Sequence, residues 1–442
     1  MGDSIERFME EIEPFIVNQR RKRHKYPEVG FTEYVTTYEL HETLNGKGFE
    51  LYLGDDVLVS DKRMGVPDDR VLVANERRAL DAGVPEAFLE KMKGGHTGLV
   101  AVLDTGRPGP HFAYRFDIDG LPIEESQNPQ HVPAAEGFRS EADGVMHACG
   151  HDGHAAIGLG FAEYLADRQD RLIGKYTLLF QPAEEGGRGA KAMVEKGWLD
   201  DADYFLSGHV GLHPKESGTV AATTSRFLAS SKINAKFIGK AAHSGLEPNE
   251  GRNALLAAAS ATLHLHSISR HKDGATRVNV GTLHAGTGRN IIAGEARMEI
   301  ETRGETDELN AYMEEHALRI LRASAVLHDV ELDLIHMGKA ITAEADLDFA
   351  GVVERACAQS ETLKIVPELP IGASEDVTYM MDRVRNQGGK ATFMIFASPL
   401  PAGHHHPSFD YEEKALLAGL ETLIRTTEYL LKGGEVREQL AD

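Results

Sequence analysis

The segment around which the chain is organised reads His147-Ala148-Cys149-Gly150-His151-Asp152-Gly153-His154. Three imidazoles, one thiol and one carboxylate fall within these eight residues, separated by glycine and alanine. Cys149 and His151 stand two positions apart, so in an extended segment both side chains point to the same side. Thiolate and imidazole are good ligands for divalent transition metals. The pattern therefore predicts part of a metal site, with a glycine-rich turn carrying exposed histidines as the alternative.

Predicted buried strands lie on both sides of this segment, and most of them lead into polar residues. The strands are Leu99–Leu103, His111–Phe116, Tyr176–Phe180 and Tyr204–Leu206. The last three lead, in order, into Asp117 and Asp119, into Glu184 and Glu185, and into His209. Because α/β enzymes build their sites at the carboxyl ends of strands, we expect these side chains to meet. The chain is therefore predicted to be α/β, with a helix at about 155–165 after the opening segment.

From about residue 225 the pattern changes and predicts a second folding unit. Its elements are strands at Lys232–Ile238, Arg277–Leu283, Ala296–Thr302 and Val330–His336, and helices at Asn253–His266 and Asp307–Ala323. Their β-α-β-β-α-β order is that of a ferredoxin-like sandwich. Segments of α/β character flank the unit on both sides, which indicates an inserted domain. The predicted organisation is 1–224 and 338–442 for one domain, with 225–337 inserted in it.

Composition narrows the class of protein. The chain has 442 residues, 41% of them hydrophobic and 26% charged, which is typical of a globular enzyme of more than one domain. A formal net charge of −22 argues against nucleic acid or an anionic membrane as partner, and also fits a saline habitat. The two cysteines, Cys149 and Cys357, give no disulfide framework. With no basic and apolar leader and no run long enough to span a membrane, we expect a cytoplasmic protein.

The polar residues at the strand ends form a set that suits hydrolysis. The candidates are Cys149, His151, Glu184, Glu185, His209 and one histidine of His404–His406. Five ligands and a further carboxylate suit two adjacent cations that share a bridging water, rather than one closed structural zinc. One of the paired glutamates can then bind metal while its neighbour accepts a proton. A metal-storing protein needs no such spare base, and a cysteine nucleophile would leave the glutamates and His209 unexplained.

Four stretches carry a resemblance to a known family. They are Met146–His154, Gln181–Gly186, Gly208–Val210 and His405–Phe409. They resemble the M20 metallopeptidase and amidohydrolase family, in its aminoacylase-like branch, and the resemblance covers essentially the whole chain. It implies a mixed-sheet metallopeptidase catalytic domain with an inserted ferredoxin-like α+β lid or dimerisation domain. The implied activity is hydrolysis of a linear amide in an N-acyl amino acid.

Three shorter motifs and one insertion narrow the expected substrate. The motifs are Met64–Asp68, Asp104–Pro110 and Ala402–His405, and the insertion is 54–97, with a helix predicted near Pro85–Met92. They are similar to members that cleave p-aminobenzoyl-glutamate to p-aminobenzoate and glutamate. A general N-acyl-amino-acid or indole-3-acetyl-amino-acid hydrolase is the alternative. The insertion itself is equally compatible with a surface decoration.

The resemblance also implies roles for individual residues. It gives Cys149 the bridging position, makes His151, Glu185, His209 and His405 the other ligands of two divalent ions, manganese or zinc, and makes Glu184 the general base. His404 and His406 flank His405 and compete with it for the ligand position. His243 is implied to support the oxyanion in the site of the neighbouring protomer, which implies a homodimer through the lid or a related second subunit.

Two residues of the inserted domain are implied to hold the terminal carboxylate of the substrate. They are Asn290 and Arg303, and a guanidinium fork suits a carboxylate because two parallel hydrogen bonds fix its plane. The chain departs from the family pattern beside one of them, where the usual Asn-x-x-Pro turn reads Asn290-Ile291-Ile292-Ala293. Ile118 and Gly120 stand where methionine and alanine are commoner, but the carboxylates beside them are kept.

Overall fold

The computed structural model describes residues 2–433. Its helices are α1 (Gly2–Lys25), α2 (Tyr34–Leu44), α3 (Asp69–Asp81), α4 (Glu86–Met92), α5 (Val132–Ala135), α6 (His151–Arg168), α7 (Ala190–Val194), α8 (Ala254–His266), α9 (Asp307–Leu327), α10 (Asp348–Cys357), α11 (Thr378–Asn386) and α12 (Lys414–Leu431). Its strands are β1 (Glu50–Leu53), β2 (Leu99–Asp104), β3 (His111–Asp117), β4 (Lys175–Gln181), β5 (Tyr204–Val210), β6 (Thr219–Ser225), β7 (Ala229–Ile238), β8 (Thr276–Ala285), β9 (Glu295–Gly304), β10 (Glu331–Ala340), β11 (Lys364–Pro370) and β12 (Lys390–Phe396). None of the described helices is both long and apolar enough to cross a membrane.

Eight strands form one mixed sheet in the order β1-β2-β4-β3-β5-β12-β6-β11. The four central strands, β4, β3, β5 and β12, run parallel to one another, so their carboxyl ends share one edge. All seven residues of β3 are buried, as expected for a strand covered on both faces. Phe112 and Tyr114 pack in the core that includes residues of α1, α6 and α12, and Ala113 packs in the core with α7 and α11.

The second sheet contains the four remaining strands in the order β10-β7-β9-β8, with every neighbouring pair antiparallel. Helices α8 and α9 share one apolar core with this sheet. The chain order β7-α8-β8-β9-α9-β10 is the predicted β-α-β-β-α-β order, and the predicted fold class is confirmed. The sheet runs from Ala229 to Ala340, three residues beyond the predicted limit at 337. We call residues 229–340 the four-stranded unit.

The opening segment folds differently from the expectation that placed Cys149 and His151 on an extended stretch. Helix α6 begins at His151, four residues before the predicted start at Ala155. Gly150, with φ at +94°, turns the chain into the helix in a conformation that favours glycine. The extended conformation was therefore wrong, although the turn still brings the two side chains to one site.

The segment 54–97 packs more deeply than a surface decoration. Val57 and Leu58 are buried in a core of the large sheet, and α3 and α4 bury Leu72, Ala79 and Met92. Helix α4 matches the predicted helix, whereas α3 was missed. Before α3, the backbone at Gly65 lies very close to β10. A methyl group on Gly65 would lie 2.5 Å from the carbonyl oxygen of Met337. The segment therefore touches the point where the four-stranded unit rejoins the larger sheet.

Candidate active site

The shared edge of the parallel strands collects the predicted polar residues. We call this set the donor cluster: Cys149, His151, Glu184, Glu185, His209 and His405. Cys149 and His151 lie at the start of α6, Glu184 and Glu185 follow β4, His209 lies at the end of β5 and His405 follows β12, so four segments distant in sequence meet there. Two groups of candidate ligand atoms, each within 4.8 Å, share one residue: Cys149, His151 and His209 in the first, and Cys149, Glu185 and His405 in the second. Cys149 therefore lies between two possible cation positions.

Hydrogen bonds fix how two histidines face this centre. Nδ1 of His151 lies 3.0 Å from the carbonyl of Asp119, and Nδ1 of His209 lies 2.9 Å from the carbonyl of Val210. A carbonyl only accepts, so both rings carry their proton on Nδ1 and keep a lone pair on Nε2. Nε2 of His151 is buried without a hydrogen-bond partner among residues 2–433, and Nε2 of His209 lies 3.5 Å from Sγ of Cys149. This is the ring orientation that metal-binding histidines need.

His154, the third histidine of the opening segment, is used differently. Its Nδ1 lies 2.5 Å from Asp117, and its Nε2 accepts a hydrogen bond from the N–H of Val210 at 2.9 Å. Both ring nitrogens are occupied, so His154 has no free lone pair for a cation. It instead ties the start of α6 to the ends of β3 and β5.

Asp119 holds the two glutamates in place. Its carboxylate accepts hydrogen bonds from the backbone N–H groups of Glu184, at 3.1 Å, and Glu185, at 3.0 Å. The same carboxylate lies 3.1 Å from Nδ1 of His151. One carboxylate at the end of β3 thus orients three members of the donor cluster, without being a member itself.

The histidine run after β12 supplies two rings to the site. Nε2 of His405 lies 3.3 Å from Oε1 of Glu185, and the backbone N–H of His405 donates to the carbonyl of Ala148. His405 has φ at +63°, a strained value for a residue with a side chain. His404 is half-buried with its ring centroid 5.5 Å from that of His209, and its Nε2 has no hydrogen-bond partner among the described residues.

A second pair of carboxylates, Glu375 and Asp376, completes the site and was missed from the sequence. Glu375 lies 3.7 Å from Nε2 of His209. Asp376 accepts from the side chain of Gln181 at 2.9 Å and lies 3.4 Å from Arg115. The pair follows Ser374 just beyond the edge strand β11, whose residues are largely exposed. A buried apolar run precedes Glu184 in the sequence, but no such run precedes Glu375 and Asp376. The only sequence signal for this second pair was the presence of two adjacent acidic residues.

The negative groups of the site lie close together and out of water. Burial, and then the charges of Glu375, Asp376 and Glu185, raises the pKa of Glu184 well above the usual range of a carboxyl. Burial, and then Glu185, likewise raises the pKa of the Cys149 thiol. Nearby positive charge would reverse both effects. The donor types, their spacing and the free Nε2 of His151 therefore fit bound cations.

On the other side of the first turn of α6 lies a cluster in which opposite charges are paired. We call it the anchor cluster: Arg20, His24, Glu125, Asp152 and Asp410, all buried. Asp152 accepts from Arg20 at 3.1 Å and lies 2.9 Å from Nδ1 of His24. Nε2 of His24 lies 2.9 Å from Glu125, and Arg20 also contacts Asp410. The cluster joins α1 to α6 and to the segment that precedes α12.

The three predicted residues of the four-stranded unit lie apart from the donor cluster. His243 and Asn290 are exposed neighbours, since His243 forms a β-bridge with Ile291 and the N–H of Ser244 donates to the carbonyl of Asn290. Arg303 is half-buried on β9, and its guanidinium donates two hydrogen bonds to Glu301, at 2.9 and 3.0 Å. Among residues 2–433, no hydrogen bond or ion pair joins these three to the donor cluster.

The two-sheet fold and the cluster of candidate metal ligands are those expected of a metal-dependent hydrolase. The sequence profile of peptidase family M20/M25/M40 matches residues 113–429, and the chain belongs to this family. The resemblance inferred from the motifs is thereby confirmed.

The chain is also similar over almost its whole length to individual proteins of known name. It is 43% identical over 425 residues to the indole-3-acetyl-aspartic acid hydrolase of Enterobacter agglomerans, covering 96% of this chain and 97% of that one. It is 42% identical over 428 residues to a subunit of the p-aminobenzoyl-glutamate hydrolase of Escherichia coli (strain K12), covering 96% and 98%. The crystal structure of the aminobenzoyl-glutamate utilization protein from Klebsiella pneumoniae superposes with a TM-score of 0.82 at 37% identity, covering 96% and 98%. The predicted class, an amide-bond hydrolase, is confirmed.

Proposed function

We propose that this protein hydrolyses the amide bond between an aromatic acyl group and an acidic amino acid. The preferred substrate is p-aminobenzoyl-glutamate, which gives p-aminobenzoate and glutamate. Support comes from the Escherichia coli and Klebsiella pneumoniae proteins, at 42% and 37% identity. The 43% identical hydrolase of indole-3-acetyl-aspartic acid supports a second candidate, in which the acyl group is indole-3-acetyl. Both candidates share an acidic amino acid on the leaving side.

The donor cluster would hold two divalent ions for this reaction, and Cys149 could serve both of them. His151 and His209 would bind one ion, and Glu185 and His405 the other, because these are the two groups of donor atoms that share the cysteine. Zinc suits the thiolate, and manganese suits the imidazoles and carboxylate, so both metals are candidates. When bound, such ions polarise the amide carbonyl and acidify a water molecule.

Glu184 is the observation that carries the proposal, because a binding protein needs ligands but no additional base. Its carboxyl group is buried beside the donor cluster, and its backbone is fixed by Asp119. In this position it would accept the proton of the attacking water and transfer it to the leaving nitrogen. Burial and the neighbouring carboxylates raise its pKa, and bound cations would lower it, toward the range in which the group can both accept and release a proton.

The four-stranded unit is proposed to act as the lid and dimerisation domain, with limits close to the predicted 225–337. Nδ1 of His243 accepts hydrogen bonds from the N–H groups of Gly245 and Leu246, both at 3.2 Å. This leaves the proton on Nε2, which makes the exposed ring a donor suited to an oxyanion. Exposed leucines on α8, Leu256 and Leu263, suit an interface between protomers.

The partner across this interface is proposed to be a second copy of the chain. A related second subunit is the alternative, since the Escherichia coli relative is named as one subunit of its hydrolase. Asn290 and Arg303 are proposed to hold the α-carboxylate, which would have to displace Glu301 from the guanidinium of Arg303. The unpaired cysteines Cys149 and Cys357 support a cytoplasmic location.

The proposed activity is tested with purified protein reconstituted with manganese or zinc. Hydrolysis is measured on p-aminobenzoyl-glutamate, indole-3-acetyl-aspartate and N-acetyl derivatives of neutral amino acids, and bound metal is measured by elemental analysis. We expect two equivalents of metal, loss of activity with a chelator, and the highest kcat/KM on the first substrate. Full activity with one tightly bound equivalent would contradict the dinuclear centre.

A mixing experiment tests whether His243 serves the neighbouring protomer. Two inactive variants, Glu184→Gln and His243→Ala, are combined under conditions that exchange protomers. A mixed dimer contains one intact composite site if His243 serves the partner, so part of the activity should return. If exchange is demonstrated by mass spectrometry and no activity returns, His243 does not act across the interface.

A further inference from the structure

Four residues stand in one row across the four-stranded sheet and begin beside the loop 182–187, which carries Glu184 and Glu185 and which we call the metal-binding loop. Pairing aligns Ala340 of β10 with Ser230 of β7, Ser230 with Arg303 of β9, and Arg303 with Arg277 of β8. At its β10 end, the N–H of Lys339 donates to the carbonyl of Gly187, just after the two glutamates of the donor cluster. Since neighbouring strands lie about 4.8 Å apart, Arg303 is roughly 10 Å and Arg277 roughly 14 Å from β10 along the row.

The row faces away from the helices of the unit. Thr302 and Ser231, the neighbours of Arg303 and Ser230, hydrogen-bond Asn310 and Glu314 of α9. Because successive side chains on a strand point to opposite faces, the row itself lies on the face without helices. Ser230 is fully buried there, and its hydroxyl has no hydrogen-bond partner among the described residues.

Arg277 differs from the other cations of this face. Arg303 and Lys232 lie near Glu301, and Lys236 and Arg297 lie near Glu295. The exposed Arg277, by contrast, has no carboxylate within 4.0 Å in the part of the chain that the structure describes. Its guanidinium donates one hydrogen bond, to the carbonyl of Thr276 at 2.8 Å.

Two arginines directly opposite each other on paired strands repel one another unless an anion lies between or beside them. Glu301 neutralises Arg303 alone, so the pair as a whole keeps an excess positive charge. The two carboxylates of aspartate or glutamate are separated by a short carbon chain, which suits two guanidinium groups on neighbouring strands. A substrate with its amide at the donor cluster would extend along the row in this direction.

We propose that Arg277 binds the side-chain carboxylate of the leaving amino acid and makes the enzyme selective for aspartate and glutamate conjugates. The inference rests on the proposed function, in which Arg303 holds the α-carboxylate. It adds a second carboxylate subsite, three strands from the metal-binding loop. An amide side chain in place of the carboxylate would fill the same space but lose the charge-assisted hydrogen bonds.

The test compares p-aminobenzoyl-glutamate with p-aminobenzoyl-glutamine on the metal-loaded protein. For Arg277→Gln, we expect kcat/KM on the glutamate conjugate to fall roughly tenfold to a hundredfold, mainly through KM, since a charged hydrogen bond is lost. The glutamine conjugate should change less than twofold, and Arg277→Lys should restore part of the selectivity. Arg297→Gln is the matched control, because Arg297 is an exposed arginine on the same face of the sheet, and it should behave as the wild type.

The possible outcomes distinguish the role of Arg277 from the proposed hydrolase function. Equal losses on both conjugates, or no loss on either, in an active enzyme would overturn the role of Arg277 and leave the hydrolase function standing. A wild-type protein that cleaves neither conjugate nor any other acyl amino acid would overturn both.

Discussion

The first turn of α6 separates two clusters of ionisable residues, the buried anchor cluster and the partly exposed donor cluster, and the charges in the two are arranged differently. In the anchor cluster, Asp152 is matched by Arg20 and His24. In the donor cluster, a thiol and two glutamates lie beside His151 and His209, whose Nδ1 atoms face backbone carbonyls and whose Nε2 atoms face the cluster. The paired charges of the anchor cluster join helices to one another. The donor atoms of the donor cluster instead favour the binding of a positive ion. Two neighbouring residues of one motif thus belong to different clusters: His151 is a candidate metal ligand, and Asp152 joins α1 to α6.

Glu184→Gln removes the proposed base from the donor cluster and leaves its proposed metal ligands unchanged. The change keeps size and removes the proton acceptor, so kcat should fall by about two to four orders of magnitude while bound metal stays at the wild-type level. The matched control is Glu185→Gln at the adjacent position, which should lose metal as well as activity. Elemental analysis and steady-state kinetics check both. Near-normal turnover in Glu184→Gln would mean that another group is the base.

The anchor cluster is broken most directly by Arg20→Met. The variant leaves Asp152 and Asp410 buried without their main cationic partner, so the free energy of unfolding should fall by about 3–5 kcal/mol. Arg21→Met is the control, because Arg21 pairs with Glu413 and Glu136 at a partly exposed position and should cost less than about 1 kcal/mol. Denaturant titration measures both values. Similar small losses in the two variants would show that the buried pairing adds nothing.

The pH dependence of stability gives a second test of the anchor cluster. Burial lowers the pKa of His24, but hydrogen bonds to Asp152 and Glu125 outweigh it and raise the pKa from 6.5 to about 9. The folded chain thus holds the proton more tightly than the unfolded chain. The resulting stability is complete below pH 6.5 and is lost as the pH rises to 9, by an amount on the order of 3 kcal/mol. Unfolding curves across this range should show the decline, and His24→Gln should flatten it; a wild-type profile without slope contradicts the pairing.

Added cations should stabilise the donor cluster and leave the anchor cluster unaffected. At a free metal concentration a hundredfold above Kd, the unfolding free energy should rise by about 2.7 kcal/mol for each ion bound, and a chelator should reverse the gain. Cys149→Ala removes the shared donor and should abolish most of the gain, whereas Arg20→Met should keep it. Thermal denaturation with and without metal measures the shift. An equal gain in wild type and Cys149→Ala would place the stabilising ion elsewhere.

The donor cluster was predictable because its members follow recognisable patterns. Glu184 and Glu185 come after a buried strand and a proline, and His209 ends another buried strand. The resemblance supplied the roles, which composition and spacing alone left open. Glu375 and Asp376 were missed because they follow an exposed edge strand, and only the folded sheet brings them to the site.

The anchor cluster was not predictable from local pattern. Arg20 and Asp152 are separated by 132 positions and meet only through packing of α1 on α6. Their residue types suggest surface positions, and their burial is decided by tertiary structure. Helix α3 was missed for a related reason: few of its residues are buried, so its apolar pattern is weak, although Asp68 caps its first turn. The conformation of Gly150 also depends on context, because glycine is compatible with both the extended and the left-handed backbone.

The four-stranded unit leaves and rejoins the larger sheet at one place. Ser230, near its first residue, pairs directly with Ala340, its last. Two antiparallel partners are about 5 Å apart, a distance that a two-residue turn closes. The whole unit is therefore a module that two recombination events could remove or exchange between relatives. The donor cluster lies outside this module and Arg277 and Arg303 lie within it, so, with the roles proposed for these two arginines, such exchanges would pass amino-acid preference between enzymes while leaving the hydrolytic chemistry in place.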